Sequence, residues 1–218
     1  MNIQIPARFS IEDLRARADA RLSRELPADA LDPAFAPPRG DHVLNSPPPE
    51  ARLVARARPA AVLAPIVARP EGPTVLLTQR ASHLRSHSGQ IAFPGGKIDA
   101  GETPLAAALR EAHEEIGLEP RAIEPLGWLD PYLTGTGFRI MPLVAIVDPS
   151  FAPTINRNEV EDVFETPLSF LMTGANHQRQ QREWQGRLRH FYAISYRQRY
   201  IWGATAGIIR NLFERLYS

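Results

Sequence analysis

Between residues 104 and 116, apolar and charged positions recur with the period of an α-helix. Leu105, Leu109, Ala112 and Ile116 fall on one stripe, while Glu111, Glu114 and Glu115 gather on the opposite side. The spacing predicts a helix entered through a Thr103 cap, with Pro104 at its first position and Gly117 as its stop. Elsewhere the pattern is one of short apolar runs. Those at 60–68, 74–79, 124–130, 140–147 and 188–196 predict strands, with Gln185 and Gly186 as a hairpin turn before the last. Residues 10–24 predict a further helix, capped by Ser10, with Ile11, Leu14, Ala18 and Leu22 on one face. A final helix should start near Gly203 and carry Ala204, Ile208, Leu212 and Leu216 in step. Strands flanking one central helix and one terminal helix predict an α+β chain, a mixed sheet between helices.

Composition divides the chain. Prolines 27, 33, 37, 38, 47, 48 and 49 make an extended connector that cannot be a core helix and should wrap over the domain surface. Residues 1–50 therefore read as an N-terminal helix with a Pro-rich extension, and residues 51–218 as the globular domain. The formal net charge is +1, from 25 Lys and Arg against 24 Asp and Glu, so no attraction to nucleic acid is implied. Absence of cysteine excludes disulfides, thiolate nucleophiles and Cys-ligated zinc, and suits a reducing cytoplasm. No apolar run reaches the ~20 residues of a membrane span, because Pro59 and Pro65 interrupt the longest. No signal-peptide core is evident at the N-terminus. Both a monomer and a homodimer fit these bounds.

The acids on the central helix break two local rules. Carboxylates at i, i+3 and i+4 repel, each such pair costing about a few tenths of a kcal/mol. They also occupy the last turns, where the helix dipole favours cations. A divalent cation removes both penalties, since clustered oxygen ligands suit Mg²⁺ or Mn²⁺. A solvated acidic face is the alternative account. Outside the helix, Glu159 and Glu161 are candidates for a further ligand or a general base. Spaced by two on an extended segment, they should point the same way. Their alternative is a pair of solvent-facing acids on an edge strand.

Seven positions, Gly96, Glu102, Arg110, Glu111, Glu114, Glu115 and Gly117, read as G-x5-E-x7-R-E-x-x-E-E-x-G. At a usage of about 5–7% per residue type, a chance match at one start is on the order of 10⁻⁸ to 10⁻⁹. This window resembles the signature of the Nudix hydrolases. The resemblance implies an α/β/α sandwich with a mixed sheet and hydrolysis of a nucleoside diphosphate linked to another moiety. It assigns Glu111, Glu114, Glu115 and the Gly96 carbonyl to Mg²⁺ or Mn²⁺. Arg110 and Glu102 become a buttressing ion pair, whose alternative is an ordinary surface salt bridge. The slot after Glu111 holds Ala112, which still packs.

Ahead of this window, LLTQRASHLRSHSGQIAFPGG places Arg80, His83, Arg85 and His87 within eight residues. A cationic loop there suits a substrate with an additional phosphate. The pattern L-L-T-x-R-x-x-x-L-R-x-H-x-G-x-x-x-F-P-G-G resembles the coenzyme A pyrophosphatase branch of that family. It implies cleavage of coenzyme A or acyl-CoA to 3′,5′-ADP and 4′-phosphopantetheine. Arg80, Arg85 and His87 would then contact phosphates or position the metal loop, with Phe93 and Gly95 beside them; the alternative is an Arg80 paired within the fold and a structural His87. ADP-ribose or NADH is the rival small-molecule substrate. A nucleotide sensor without turnover is a rival of another class, against which stand the complete set of glutamates and an extension lacking a basic recognition helix.

Overall fold

A computed structural model describes residues 7–45, 49, 51–84, 88–184 and 186–218. Its strands are β1 (Arg39–Gly40), β2 (Arg58–Val67), β3 (Thr74–Arg80), β4 (Ile91–Ala92), β5 (Gly95–Lys97), β6 (Ile123–Trp128), β7 (Tyr132–Leu133), β8 (Phe138–Val147), β9 (Val160–Pro167), β10 (Gln178–Trp184), β11 (Arg187–Tyr196) and β12 (Arg199–Trp202). The helices are α1 (Ile11–Arg21), α2 (Ala51–Arg56), α3 (Pro104–Ile116), α4 (Leu168–Leu171) and α5 (Ala204–Leu216).

The frame is the parallel pair β2 and β8, in register from Arg58 opposite Phe138 to Val67 opposite Val147. Parallel strands require cover on both faces, and the two-residue alternation supplies it. Ala61, Leu63 and Val67 of β2, with Met141, Leu143 and Ala145 of β8, pack against α3. Ala64, Ile66, Val144 and Ile146 face the other way, towards α1 and α5. A nine-stranded mixed sheet results among the described residues, running β1-β7-β8-β2-β3-β4 with β5, β6 and β9 attached. Strands β10, β11 and β12 form a second sheet, whose Ile194 and Ile201 join the α5 core. This is the sandwich of helices about a mixed sheet that the sequence predicts.

The sequence-based strands recur with ends moved by a few residues, and Gly186 makes a left-handed turn (φ +70) between β10 and β11. Strand β9 takes up Glu161 from the segment read as extended, and β10 is the hairpin partner that the 185–186 turn implies; β1, β4, β5, β7 and β12 lie outside the predicted runs. The first helix has its Ser10 cap, accepting from the Asp13 N–H at 3.2 Å, but ends at Arg21 rather than residue 24. The connector is pinned to the sheet by the guanidinium of Arg139, a residue only 2% exposed. It donates to the carbonyls of Ala30, Asp32 and Pro33 in the connector and of Val54 in α2.

One correction bears directly on function. Leu105 and Leu109 do not form the buried stripe of α3; Leu105 is 40% exposed. The buried positions are Ala107, Ala108, Ala112, Glu115 and Ile116. Small side chains let the helix backbone approach the sheet closely. The helix is accordingly turned so that Glu115 faces inward and Glu111 lies at the edge, not on a solvent face.

Candidate active site

Local sequence fixes where α3 begins and ends. The Thr103 hydroxyl accepts from the Ala106 N–H at 3.2 Å, and Gly117 closes the helix at φ +69. Just past it, the Thr154 N–H donates to the Ile116 carbonyl and the Asn156 N–H to that of Glu115, each at 2.9 Å. Those bonds draw the turn bearing Glu159 against the last turn of the helix. The Ala81 N–H, donating to the Glu159 carbonyl at 2.9 Å, holds the same turn from the β3 side.

Glu111, Glu115 and Glu159 converge as a result, with one carboxylate oxygen of each within 4.8 Å of the others. Glu111 presses on Gly96, where an added Cβ would lie 2.3 Å from its Oε1. Only glycine leaves room for the carboxylate there. At Gly95 (φ +153) a Cβ would meet the Ala61 carbonyl oxygen at 2.4 Å, so this turn also requires glycine.

Arg110 organises the outer acids. Its Nε and Nη2 donate to the two Glu102 oxygens at 2.9 and 3.0 Å, and Nη1 donates to Glu111 at 2.9 Å and Glu114 at 3.0 Å. Nη2 also reaches the Lys97 carbonyl at 3.2 Å. The guanidinium therefore joins the loop before α3 to the helix. Its hydrogen bonds hold the Glu102 carboxyl below the usual carboxylate range and raise Arg110 itself. Glu111 moves the other way: burial pushes its carboxyl up despite Arg110, and the charges of Glu114 and Glu159 add to that.

Glu115 is the extreme case. Burial, reduced by the pull of Arg80 and reinforced by Glu111, pushes its carboxyl up to about 8. Arg80 stands 3.9 Å from it. Glu115 Oε2 and Arg80 Nε are both buried without a hydrogen-bond partner. A buried, unanswered carboxylate oxygen beside two further carboxylates is a donor set for a hard divalent cation.

Other sequence-predicted residues are placed differently. Glu114 lies outside the cluster, about half exposed and bound to Arg110. Glu161 does not share a face with Glu159. The β3–β9 register pairs Gln79 with Asp162 but Arg80 with Val160, leaving Glu161 as the extra residue of a bulge. Its carboxylate instead accepts from the Ser82 N–H at 3.2 Å. Phe93 is buried at the cleft wall, and His83 is exposed. Arg85 and His87 lie outside the described residues.

The cluster opens into a cleft of about 750 Å³, a volume ordinary for a small-molecule site. Its lining includes Arg58, Lys97, Thr134, Thr136, Phe138 and Trp202, none singled out from the sequence. Arg58 and Phe138 are register partners at the starts of β2 and β8, a pairing that no local pattern announces. Among the described residues no helix is long and apolar enough to cross a membrane.

A family model described as the NUDIX domain matches residues 57–185, more than half the chain. The chain belongs to the Nudix family. It is 43% identical over 166 residues to an uncharacterized Nudix hydrolase, NudL, of Enterobacter sp. (strain 638), spanning 76% of this chain and 86% of that protein. It is 44% identical over 156 residues to the NudL of Escherichia coli O7:K1 (strain IAI39 / ExPEC), spanning 71% and 81%. Among solved structures it resembles a Nudix hydrolase from M. Smegmatis, RenU, at 25% identity and a TM-score of 0.44, covering 52% of this chain and 72% of that one. A C. elegans Ap4A hydrolase binary complex aligns at 19% identity and a TM-score of 0.45, covering 50% and 80%. As a Nudix hydrolase, the protein acts on phosphorus anhydrides of small nucleotide substrates, chemistry that uses divalent metal ions.

Proposed function

We propose that this Nudix hydrolase cleaves the diphosphate of coenzyme A or an acyl-CoA, giving 3′,5′-ADP and the corresponding 4′-phosphopantetheine. The observation that carries the reaction is the convergence of Glu111, Glu115 and Glu159 on one point of the cleft, with Glu115 Oε2 unanswered. The substrate rests on the sequence pattern from Leu76 to Gly96. Residues 51–218 carry the catalytic fold on this reading, and residues 1–50 extend it.

Glu111, Glu115 and the carbonyl of Gly96 would hold Mg²⁺ or Mn²⁺, with Glu159 beside them. Such an ion supplies charge neutralisation on the diphosphate and a lowered pKa for water. Arg110 fixes the Glu111 carboxylate against Gly96, so that its oxygens are aimed before substrate arrives. Arg80 balances the Glu115 charge from the β3 side. Glu159, contributed from outside the helix, would take the proton of the attacking water. Water oxygen then bonds to phosphorus as the bridging P–O bond breaks and its electrons leave with the departing phosphate.

Product analysis on coenzyme A, dephospho-coenzyme A, ADP-ribose and NADH, with Mg²⁺ and with Mn²⁺, tests this reading. Fastest turnover of coenzyme A, with 3′,5′-ADP released, is expected. Faster cleavage of ADP-ribose overturns the substrate, and hydrolysis unaffected by chelator overturns the role of the carboxylate cluster.

A further inference from the structure

The cleft continues well beyond the carboxylates. Gly96, against which Glu111 packs, pairs with Ala61 of β2. Arg58 lies three residues further back along the same strand, a rise of about 10 Å. Its guanidinium carbon is 4.2 Å from the centroid of the Phe138 ring. Among the described residues no carboxylate forms an ion pair with it.

Three cationic side chains line the cleft among the described residues: Arg58, Arg80 and Lys97. Arg80 is engaged with Glu115. Lys97 is exposed and pairs with Ala60, two residues along β2 from Arg58. Of the three, Arg58 is the one whose guanidinium rests on a ring, and among the described residues its edge N–H groups carry no side-chain hydrogen bond. We propose that Arg58 is the specificity-determining cation that selects substrates bearing a phosphate monoester beyond the diphosphate being cleaved. The proposal rests on the diphosphate-hydrolysing reading of Glu111, Glu115 and Glu159.

A ring against one guanidinium face fixes its plane and leaves the donor fork free for a phosphate. The platform itself is braced. The Phe138 N–H donates to Thr134 Oγ1 at 2.9 Å, and the Thr134 N–H donates to the Phe138 carbonyl at 2.8 Å. The Arg58 N–H donates to the Gly137 carbonyl at 2.9 Å. From the N-terminal extension, Asp41 accepts from the Gly135 N–H at 2.7 Å and the Tyr132 hydroxyl at 2.8 Å. Asp41 also lines the cleft, but both its oxygens already accept hydrogen bonds, which tempers its repulsion of an incoming anion.

The test is calorimetric binding of 3′,5′-ADP and of 5′-AMP to the full chain without metal, alongside KM for coenzyme A and dephospho-coenzyme A. The wild-type chain should bind 3′,5′-ADP at least about tenfold more tightly than 5′-AMP, as a charge-assisted contact implies. Arg58→Gln should erase that preference and raise KM for coenzyme A more than for the dephospho form. Arg58→Lys, keeping charge without the fork, should retain part of it. Phe138→Leu, which removes the platform and keeps the cation, should weaken it. Equal binding of the two nucleotides by the wild-type chain, or an unchanged preference in Arg58→Gln, overturns the proposal. Failure to hydrolyse either form of coenzyme A overturns the activity reading instead, while the nucleotide preference still judges Arg58.

Discussion

Glu102 and Glu114 are each answered by N–H groups of Arg110, whereas Glu115 on α3 is buried with one oxygen unanswered. Glu111, bound to Arg110 on one side and converging with Glu115 on the other, borders both. The first group is a closed ion-pair network. Its Glu102 carboxyl sits below the usual range, and its charges need nothing further. The second is an open one: Arg80 at 3.9 Å compensates only part of the cost of burial. The contrast separates acids that build the loop from acids that await a ligand. A charge-poor helix face would have been the more stable choice at Glu115, so the stored cost points to binding.

The largest expected effect breaks the open end. Glu115→Gln should fold normally, yet lower kcat by more than the ~10–100-fold typical of losing a supporting contact to a metal ligand. Retention of Mg²⁺-dependent turnover in that variant would remove Glu115 from the site. Next, Glu159→Gln should lose much of the activity while Glu161→Gln stays near wild type; reversal of that order would contradict the bulge that separates them.

The third prediction concerns stability. The Glu115 carboxyl rises from 4.5 in the unfolded chain to about 8 in the folded one. Between those values the folded chain holds a proton that the unfolded chain has released, so stability falls as pH rises through that window. Denaturant titrations in chelator at pH 5 and pH 8 should show a loss on the order of a few kcal/mol. Glu115→Gln should flatten that slope, and added Mg²⁺ should stabilise the wild-type chain more at pH 8 than at pH 5. The smallest effect belongs to the closed network. Glu114 is about half exposed, and Glu114→Gln should change stability by about 0–1 kcal/mol and kcat only slightly.

What the chain disclosed in advance, and what it withheld, follows the reach of the interactions involved. Thr103, Pro104 and Gly117 act on their own backbone, and they mark the ends of α3 as the structure has them. The burial of that helix was misjudged because Leu105 and Leu109 outweigh alanine on any hydropathy scale. At close helix–sheet approach, the size of Ala107, Ala108 and Ala112 decides instead. Glu159 could be nominated as an acid outside the helix, but its separation from Glu161 depends on a bulge set by pairing with β3. Arg58 and Phe138, 80 positions apart, become neighbours only through the parallel register of β2 and β8. Nothing short-range encodes that meeting.

The guanidinium of Arg139 has a practical meaning for anyone shortening this protein. Three of the four carbonyls that solvate it, those of Ala30, Asp32 and Pro33, come from the stretch ahead of residue 51. A chain begun where the prolines end would strand a cation inside the fold, at a penalty of about 3–5 kcal/mol. Trimming there would forfeit a good part of the margin that keeps a domain of this size folded.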